Sequence, residues 1–208
     1  MKITFLGTGT SCGVPTLGCS CKVCRSTNPH DSRLRCAALV ETDTTRLLID
    51  CGPDIRQQLM PLPFRRIDGV LLTHMHYDHV GGIDDLRPYC RFGTIPLYGD
   101  CKTLRHVRQS MPYCFPHGLM QRIEKSLPWL KLKLYPGVPS LSLNPIHAHR
   151  PFSVGDIEVL PINVLHGKLP ILGFRIGRNF AYITDMKSMS EDELHYLKGV
   201  RTLVVNAL

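Results

Sequence analysis

Four side chains that can bind metal ions fall within six residues of this sequence. His74 and His76 are two residues apart, and Asp78 and His79 follow them. In an extended segment alternate side chains point to one side, so the two leading imidazoles can share one ion. The adjacent aspartate and histidine can reach a second ion. This spacing predicts two divalent ions about 3.5–4 Å apart, a separation that suits in-line displacement at phosphorus.

The ligand types narrow the choice of metal only in part. Imidazole and carboxylate ligands fit zinc, manganese or iron, and spacing does not choose among them. We expect two zinc or manganese ions. The simpler alternative is a loop of hydrogen-bonded polar residues, but four potential ligands at this density favour a metal site.

The elements around this cluster must hold it in place. An apolar stretch at 68–72 precedes it and predicts a buried strand, and a helical pattern opens at 80–83. Functional side chains gather at such junctions in α/β folds. A proline-rich section at 111–128 is predicted to be an insertion that faces the site. Further strands are predicted at 2–7, 36–42, 45–50, 95–98, 130–135, 157–163, 170–177, 180–184 and 203–208, and helices at 53–60, 80–91, 103–110 and 190–197.

The spacing His-x-His-x-Asp-His after an apolar strand resembles the signature of the metallo-β-lactamase superfamily. Segment 2–10 resembles the opening strand and turn of that fold, and segment 47–52 resembles the first motif of the family. Segments 164–167 and 181–185 resemble the third and fourth motifs. The pattern alone predicts only an α/β fold. The resemblance implies a four-layer αββα sandwich that forms a single domain over 1–208.

The resemblance also implies a ligand set for two ions, with Asp185 bridging them. The first ion would be bound by His74, His76 and His166, and the second by Asp78 and His79. Asp50 would support the metal loop without binding metal. By itself, His166 would be read as a structural histidine in a strand, and Asp185 as a turn or capping residue. We expect Asp78 and Asp185 to act in catalysis.

One departure from the family pattern lies near the end of the chain. The family has a further histidine after the fourth motif, and His195 is the sole histidine beyond Asp185. It falls in 190–197, which is predicted to be an amphipathic surface helix with Ser190 as its N-cap, so it is a poor ligand. A predicted buried strand at 203–208 then ends the sequence. We therefore expect that a C-terminal segment of the usual domain, with the last ligand and the general acid, is missing.

Cysteine usage adds a second candidate metal site. Three of the nine cysteines, Cys19, Cys21 and Cys24, lie in a loop at about 12–24 and suit a structural zinc whose fourth ligand comes from elsewhere. A coincidental trio of loop residues is the alternative. The loop resembles the accessory zinc loop of the phosphodiesterase branch of the superfamily, the cyclic phosphodiesterase of the carbon-phosphorus lyase pathway and its relatives. The resemblance implies that a late histidine, expected beyond Leu208, is the fourth ligand, with His30 or Cys36 as substitutes within the given sequence.

Composition predicts a soluble enzyme domain in a reducing compartment. The chain has 208 residues, 43% hydrophobic and 20% charged, and no stretch of membrane-spanning length. The odd number of cysteines and the lack of a cleavable signal favour the cytoplasm. The net charge of +8 favours anionic partners without separating nucleic acid from small phosphates. A homodimer is compatible with this composition.

A second histidine pair has no metal pattern around it. His147 and His149 are two residues apart, but Arg150 adjoins them and the sequence places no carboxylate nearby. We expect both to face solvent or the edge of the substrate.

The leading functional hypothesis is hydrolysis of a small phosphodiester, cyclic ones included, by a hydroxide held between the two ions. One alternative is an RNA-processing nuclease resembling tRNase Z. In that family a substrate-gripping arm often lies between the third-motif histidine and the fourth-motif aspartate, and here only 18 residues separate His166 from Asp185. An alternative of another class is a non-catalytic zinc and nucleic-acid binding module, suggested by the basic charge and the cysteine loop.

Overall fold

Two facing β-sheets form the centre of the fold. The computed structural model describes residues 1–115, 126 and 137–206. The first sheet has the order β1-β2-β3-β4-β5-β6, and these strands are Lys2–Gly7, Ala37–Glu41, Arg46–Ile49, Gly69–Leu71, Ile95–Gly99 and Leu141–Pro145. Its first three strands are antiparallel, and β3 to β6 are parallel.

The second sheet has the order β11-β10-β9-β8-β7. Its strands in chain order are β7 (Phe152–Val154), β8 (Ile157–His166), β9 (Leu169–Ile176), β10 (Phe180–Ile183) and β11 (Thr202–Val205). Neighbours are antiparallel except for β10 and β11, which are parallel. Two short turns, at 167–168 and 177–179, connect β8 to β9 and β9 to β10. As a result β8 and β10 run in the same direction, and their carboxyl ends lie at the same end of the sheet.

Helices cover the outer faces of both sheets. The α-helices are α1 (Ile55–Leu59), α2 (Tyr77–Val80), α3 (Cys101–Ser110) and α4 (Glu191–Leu194), and the 3-10 helices are Pro29–Asp31, Ile83–Phe92, Pro112–Cys114 and His195–Leu197. In the part of the chain that the structure describes, no helix is both long enough and apolar enough to cross a bilayer.

The period of two in the strands separates two layers of core. Leu39 and Leu48 point toward the helices and pack with Ile55 and Ile83. The residues adjacent to Leu39 and Leu48 in sequence point in the opposite direction and pack against the second sheet around Phe174. A third, smaller cluster includes Val164, Ile171 and Ile183 of the second sheet, with Met189 and Leu197 from the segment around α4 packed against it. The αββα order implied by the family resemblance is therefore confirmed.

Several elements differ from the sequence predictions. The helix predicted at 80–91 is divided, because α2 ends at Val80 and a 3-10 helix follows at Ile83–Phe92. Pro88 lies inside this 3-10 helix and has no backbone N–H to donate. The described part of the strand predicted at 203–208 falls in β11, which lies at the edge of its sheet and is not buried, since Leu203 is 49% exposed. The sequence patterns did not predict β6 and β7, and the strand predicted at 130–135 lies outside the described residues.

Candidate metal centre

The predicted metal ligands meet where strands of both sheets end. The parallel strands β3 and β4 end side by side, which brings Asp50 close to the segment that begins at Thr73. In the second sheet, His166 is the last residue of β8, and Asp185 follows β10 by two residues. Because β8 and β10 run in the same direction, both of these side chains lie at the same end of the second sheet. The candidate centre lies between this end and the carboxyl ends of β3 and β4 in the first sheet.

The first group of potential ligands has four members. Ligand atoms of His74, His76, His166 and Asp185 all lie within 4.8 Å of one another. The Nε2 atom of His74 is 2.9 Å from Nδ1 of His76 and 3.7 Å from Oδ2 of Asp185. Three imidazoles and one carboxylate are a donor set that suits a divalent transition metal.

A second group shares Asp185 with the first. It contains Cys36, His79 and Asp185, again with ligand atoms within 4.8 Å of one another. Asp78 borders this group, since its Oδ2 atom lies 3.2 Å from Nε2 of His79. The same Nε2 atom is 3.2 Å from Oδ2 of Asp185. The carboxylate of Asp185 is thus placed between the two groups, where a bridging ligand must be.

Asp50 orients His79 from behind. Its buried carboxylate accepts hydrogen bonds from the backbone N–H of Thr73 at 2.8 Å and from the hydroxyl of the same residue. Nδ1 of His79 donates to Oδ2 of Asp50 at 2.7 Å, which leaves Nε2 directed at Asp185. A carboxylate behind a histidine fixes the ring orientation of metal-binding histidines in the same way. The structure therefore shows the supporting contact that was predicted for Asp50.

Charge within the centre favours a bound cation. Burial lowers the pKa of His74 to about 3, so its ring is neutral and keeps a lone pair for a metal. Burial also disfavours a charged His79, but the carboxylate of Asp50 and hydrogen bonds to Asp185 and Asp78 outweigh it and raise the pKa of His79. In the metal-free chain the protonated ring of His79 is the positive charge next to the carboxylates of Asp50, Asp78 and Asp185. A metal ion bound at Nε2 would replace that proton.

The charged ring of His79 also keeps the carboxylate of Asp185 ionised. Burial would raise its pKa, but the hydrogen bond and the charge of His79 outweigh burial and lower the pKa of Asp185 to about 2. Both Asp185 and Asp50 also have left-handed backbone conformations, with φ of 55° and 61°. For a residue other than glycine this conformation costs free energy, so it occurs where contacts of the surrounding structure impose it. These two aspartates are therefore held where the centre requires them.

Two glycines allow the loops of the centre to approach each other closely. A Cβ atom on Gly52 would lie 1.9 Å from the carbonyl oxygen of Asp78, and one on Gly82 would lie 2.0 Å from the carbonyl oxygen of Gly52. The backbone N–H of Cys51 donates to the carbonyl of His79 at 2.7 Å. Only residues without a side chain fit at these contacts. The loop after β3 and the metal loop are thus joined directly through their backbones.

A cavity of about 740 Å³ opens onto both groups. His76, Asp78, His166 and Asp185 line it together with Cys36. The loop after β1 contributes residues 8–11, three of which carry hydroxyl groups, and Phe5 and Val204 form an apolar part of the wall. The volume is that of a site for a small molecule.

The three loop cysteines also come together. Ligand atoms of Cys19, Cys21 and Cys24 lie within 4.8 Å of one another. The hydrogen bond from the backbone N–H of Cys24 is the main factor that lowers the pKa of Cys21 to about 7. Cys36, one of the two residues suggested as a fourth ligand for this loop, lies instead beside His79 and Asp185. The three thiols could hold a metal ion, and the structural zinc and its fourth ligand both stay predictions.

The second histidine pair has a structural contact that the sequence did not predict. Nε2 of His149 lies 2.8 Å from Oε1 of Glu193, which is buried at the inner side of α4. The ring of His149 also stacks on Tyr196, with centroids 4.4 Å apart. His149 therefore holds the segment around α4 against the second sheet and does not simply face solvent or substrate. Among the described residues, His195 belongs to neither ligand group, in line with the prediction that it is a poor ligand.

Two further residues take part in the centre, and no sequence motif indicated either of them for this role. Thr73 contacts both Asp50 and Nδ1 of His74, the latter at 3.0 Å. The parallel pairing of β3 and β4 is the signal that could have indicated it, because side chains that follow neighbouring parallel strands meet. Cys36 precedes β2 and lies far from the other members along the chain, and no local pattern indicates it.

Fold and site together define a protein with the metallo-β-lactamase fold and a His/Asp cluster that could hold metal. The family model of the β-lactamase superfamily domain matches residues 45–208. The crystal structure of a diphosphatase from the PhnP family superposes with a TM-score of 0.81 at 34% identity, and the match covers 97% of this chain and 71% of that one. The chain therefore belongs to the β-lactamase superfamily, and the predicted resemblance to its phosphodiesterase branch is confirmed by this likeness to a PhnP-family protein.

Two curated relatives add a comparison of sequence. An octanoyltransferase of Porphyromonas gingivalis is 42% identical over 209 residues, which cover 100% of this chain and 39% of that protein. A ribonuclease Z of Thermosynechococcus vestitus is 30% identical over 178 residues, which cover 85% of this chain and 36% of that protein. The chain thus spans less than half of the length of either relative, and their names describe longer proteins.

Proposed function

We propose that this chain is a metal-dependent hydrolase of small phosphodiesters, cyclic ones included. The main support for this proposal is that two groups of potential ligands share Asp185 and border one cavity. Two metal positions joined by a carboxylate suit displacement at phosphorus, because the attacking and leaving oxygens can each be stabilised. The diphosphatase of the PhnP family, at 34% identity, supports a reaction at phosphorus.

The ions that fit these groups are zinc or manganese. The first would be held by His74, His76, His166 and Asp185, and the second by Asp78, His79 and Asp185. When bound, the ions would supply a nucleophilic hydroxide at neutral pH and neutralise charge that develops on the phosphoryl oxygens. Neutral imidazole and ionised carboxylate are the forms that such ions require.

The protein itself contributes orientation and attraction. Asp50 and Thr73 hold His79 at a fixed angle, so that the second position has its geometry before substrate arrives. The cavity is large enough for a small diester, and the hydroxyl-bearing residues Thr8, Thr10 and Ser11 also line it. The net charge of +8 raises the local concentration of anionic substrates.

An RNA-processing nuclease is the second candidate, supported by the identity of 30% with a ribonuclease Z. The structure describes every residue between His166 and Asp185, and they form β9, β10 and two short turns. An arm that grips RNA has no place in this part of the chain. We therefore favour the small phosphodiester as substrate.

The test is turnover of an aryl phosphodiester by the purified chain. We expect that bis-para-nitrophenyl phosphate is hydrolysed, that a chelator abolishes turnover, and that added zinc or manganese restores it. Hydrolysis of a short RNA at a higher rate would favour the nuclease. Binding of RNA that weakens steeply with salt, with no turnover of any diester when both ions are bound, would support the non-catalytic alternative and contradict our proposal.

We also propose one structural zinc at Cys19, Cys21 and Cys24. Replacing Cys21 with serine should remove one equivalent of tightly bound zinc, because the thiolate is the zinc ligand in structural sites. Metal content by mass spectrometry after dialysis measures this loss. Replacing the exposed Cys101 with serine is the matched control and should leave the metal content unchanged. An unchanged zinc content in the Cys21→Ser variant would contradict the proposed site.

A further inference from the structure

Cys36 lies where the second metal ion is expected. It is the residue immediately before β2, and its Sγ atom is within 4.8 Å of a ring nitrogen of His79 and a carboxylate oxygen of Asp185. It also lines the cavity. Its sulfur lies 3.4 Å from the hydroxyl of Thr184 and also forms a side-chain hydrogen bond with Tyr182. The sulfur thus faces the same space as the ligand atoms and not the apolar core.

Other potential metal ligands surround this sulfur. Nε2 of His79 lies 3.2 Å from carboxylate oxygens of both Asp78 and Asp185. Sulfur, nitrogen and oxygen donors therefore converge from separate elements of the fold: the start of β2, α2 and the end of β10. Sulfur, imidazole and carboxylate donors are all ligands that zinc takes in proteins.

Resting on the proposed two-metal function, we propose that Cys36 is a thiolate ligand of the second metal ion, together with Asp78, His79 and Asp185. As the metal–sulfur bond forms, the S–H bond breaks and its proton passes to solvent. The charge of a coordinated divalent ion is sufficient to deprotonate a thiol. No change of oxidation state is involved.

A sulfur ligand would make the two metal positions unequal. Thiolate selects zinc over manganese, whereas imidazole and carboxylate accept either. The first position, with three histidines and a carboxylate, would bind both metals. The second would bind zinc in preference to manganese, and Cys36→Ser should reduce that preference.

The experiment is cobalt substitution of the metal-free chain, compared with its Cys36→Ser variant. Cobalt bound to thiolate gives a sulfur-to-metal charge-transfer band in the near ultraviolet. The loop cysteines contribute to this band in both proteins, so the difference between the two spectra isolates Cys36. Serine can keep the hydrogen bond to Thr184, and a circular dichroism spectrum checks that the variant folds. Cys101→Ser, which replaces an exposed thiol, is the matched control.

We expect Cys36→Ser to lose part of the charge-transfer intensity and to weaken binding of one zinc ion by more than the roughly 10–100-fold that loss of an outer hydrogen-bond partner costs. Cadmium NMR should show a resonance with a one-sulfur shift in the parent chain only. Equal spectra in parent and variant, with two ions still bound to the His/Asp groups, would overturn this inference and leave the proposed function standing. If neither group binds a metal ion, the proposed function itself fails.

Discussion

Replacing His166 with alanine is expected to reduce metal-dependent turnover of an aryl phosphodiester by about 10³-fold or more in kcat. His166 supplies one of the four ligand atoms of the first group, from the end of β8. Loss of a ligand should cost more than the roughly 10–100-fold that loss of an outer hydrogen-bond partner costs. The measurement is kcat, taken together with the number of ions bound per chain.

His106→Ala is the matched control for this prediction. His106 lies on α3, where its Nε2 atom is 3.2 Å from the hydroxyl of Ser110, and it is not a member of either ligand group among the described residues. It should keep turnover and metal content. A His166→Ala variant that binds two ions and retains kcat would show that His166 is not a ligand and that the first position is held by other residues.

Replacing Asp50 with alanine is expected to lower the free energy of unfolding of the metal-free chain by about 3 kcal/mol, since His79 loses the nearest of its carboxylate partners and breaking a buried ion pair is costly. His79 and Asp50 are both 0% exposed, so water cannot replace the lost contact. Thr73 loses its acceptor as well. Urea denaturation of the metal-free proteins measures the difference.

Two variants separate the charge of Asp50 from other effects of the substitution. Asp43→Ala changes an exposed turn carboxylate and should alter stability by no more than about 0.5 kcal/mol. Asp50→Asn keeps an acceptor for Thr73 and tolerates the left-handed conformation, so it should lose less than the alanine variant. If Asp50→Ala and Asp43→Ala unfold at the same urea concentration, the buried pair does not contribute to stability.

The sequence predicted those parts of the molecule that depend on local pattern. Alternating apolar residues indicated strands such as β2 and β3, because one face of a sheet must be buried at every second residue. The dense run from His74 to His79 indicated the metal loop for a related reason, since ligands close in sequence are close in space. The assignment of His166 and Asp185 depended on the family resemblance and not on local pattern.

Contacts between distant segments were beyond sequence reasoning. Asp50 and Thr73 meet only because β3 and β4 are parallel neighbours, and Cys36 reaches His79 only because β2 pairs with β3. The division of the helix at 80–91 depends on a tertiary contact as well. The backbone N–H of Gly82 donates to the carbonyl of Cys51 and so directs the chain away from a continuous helix.

The two turns of the second sheet differ in what lengthening them would do. The turn at 167–168 directly follows His166, and a Cβ added to Gly167 would meet nothing within 4 Å. Residues inserted there would lie next to His166, which lines the cavity, and would therefore change the surroundings of a bound substrate. Residues inserted at 177–179 would emerge at the opposite end of the strands, away from the ligands. Evolution or an engineer could therefore change the substrate range of this scaffold at one turn while using the other to attach a new domain.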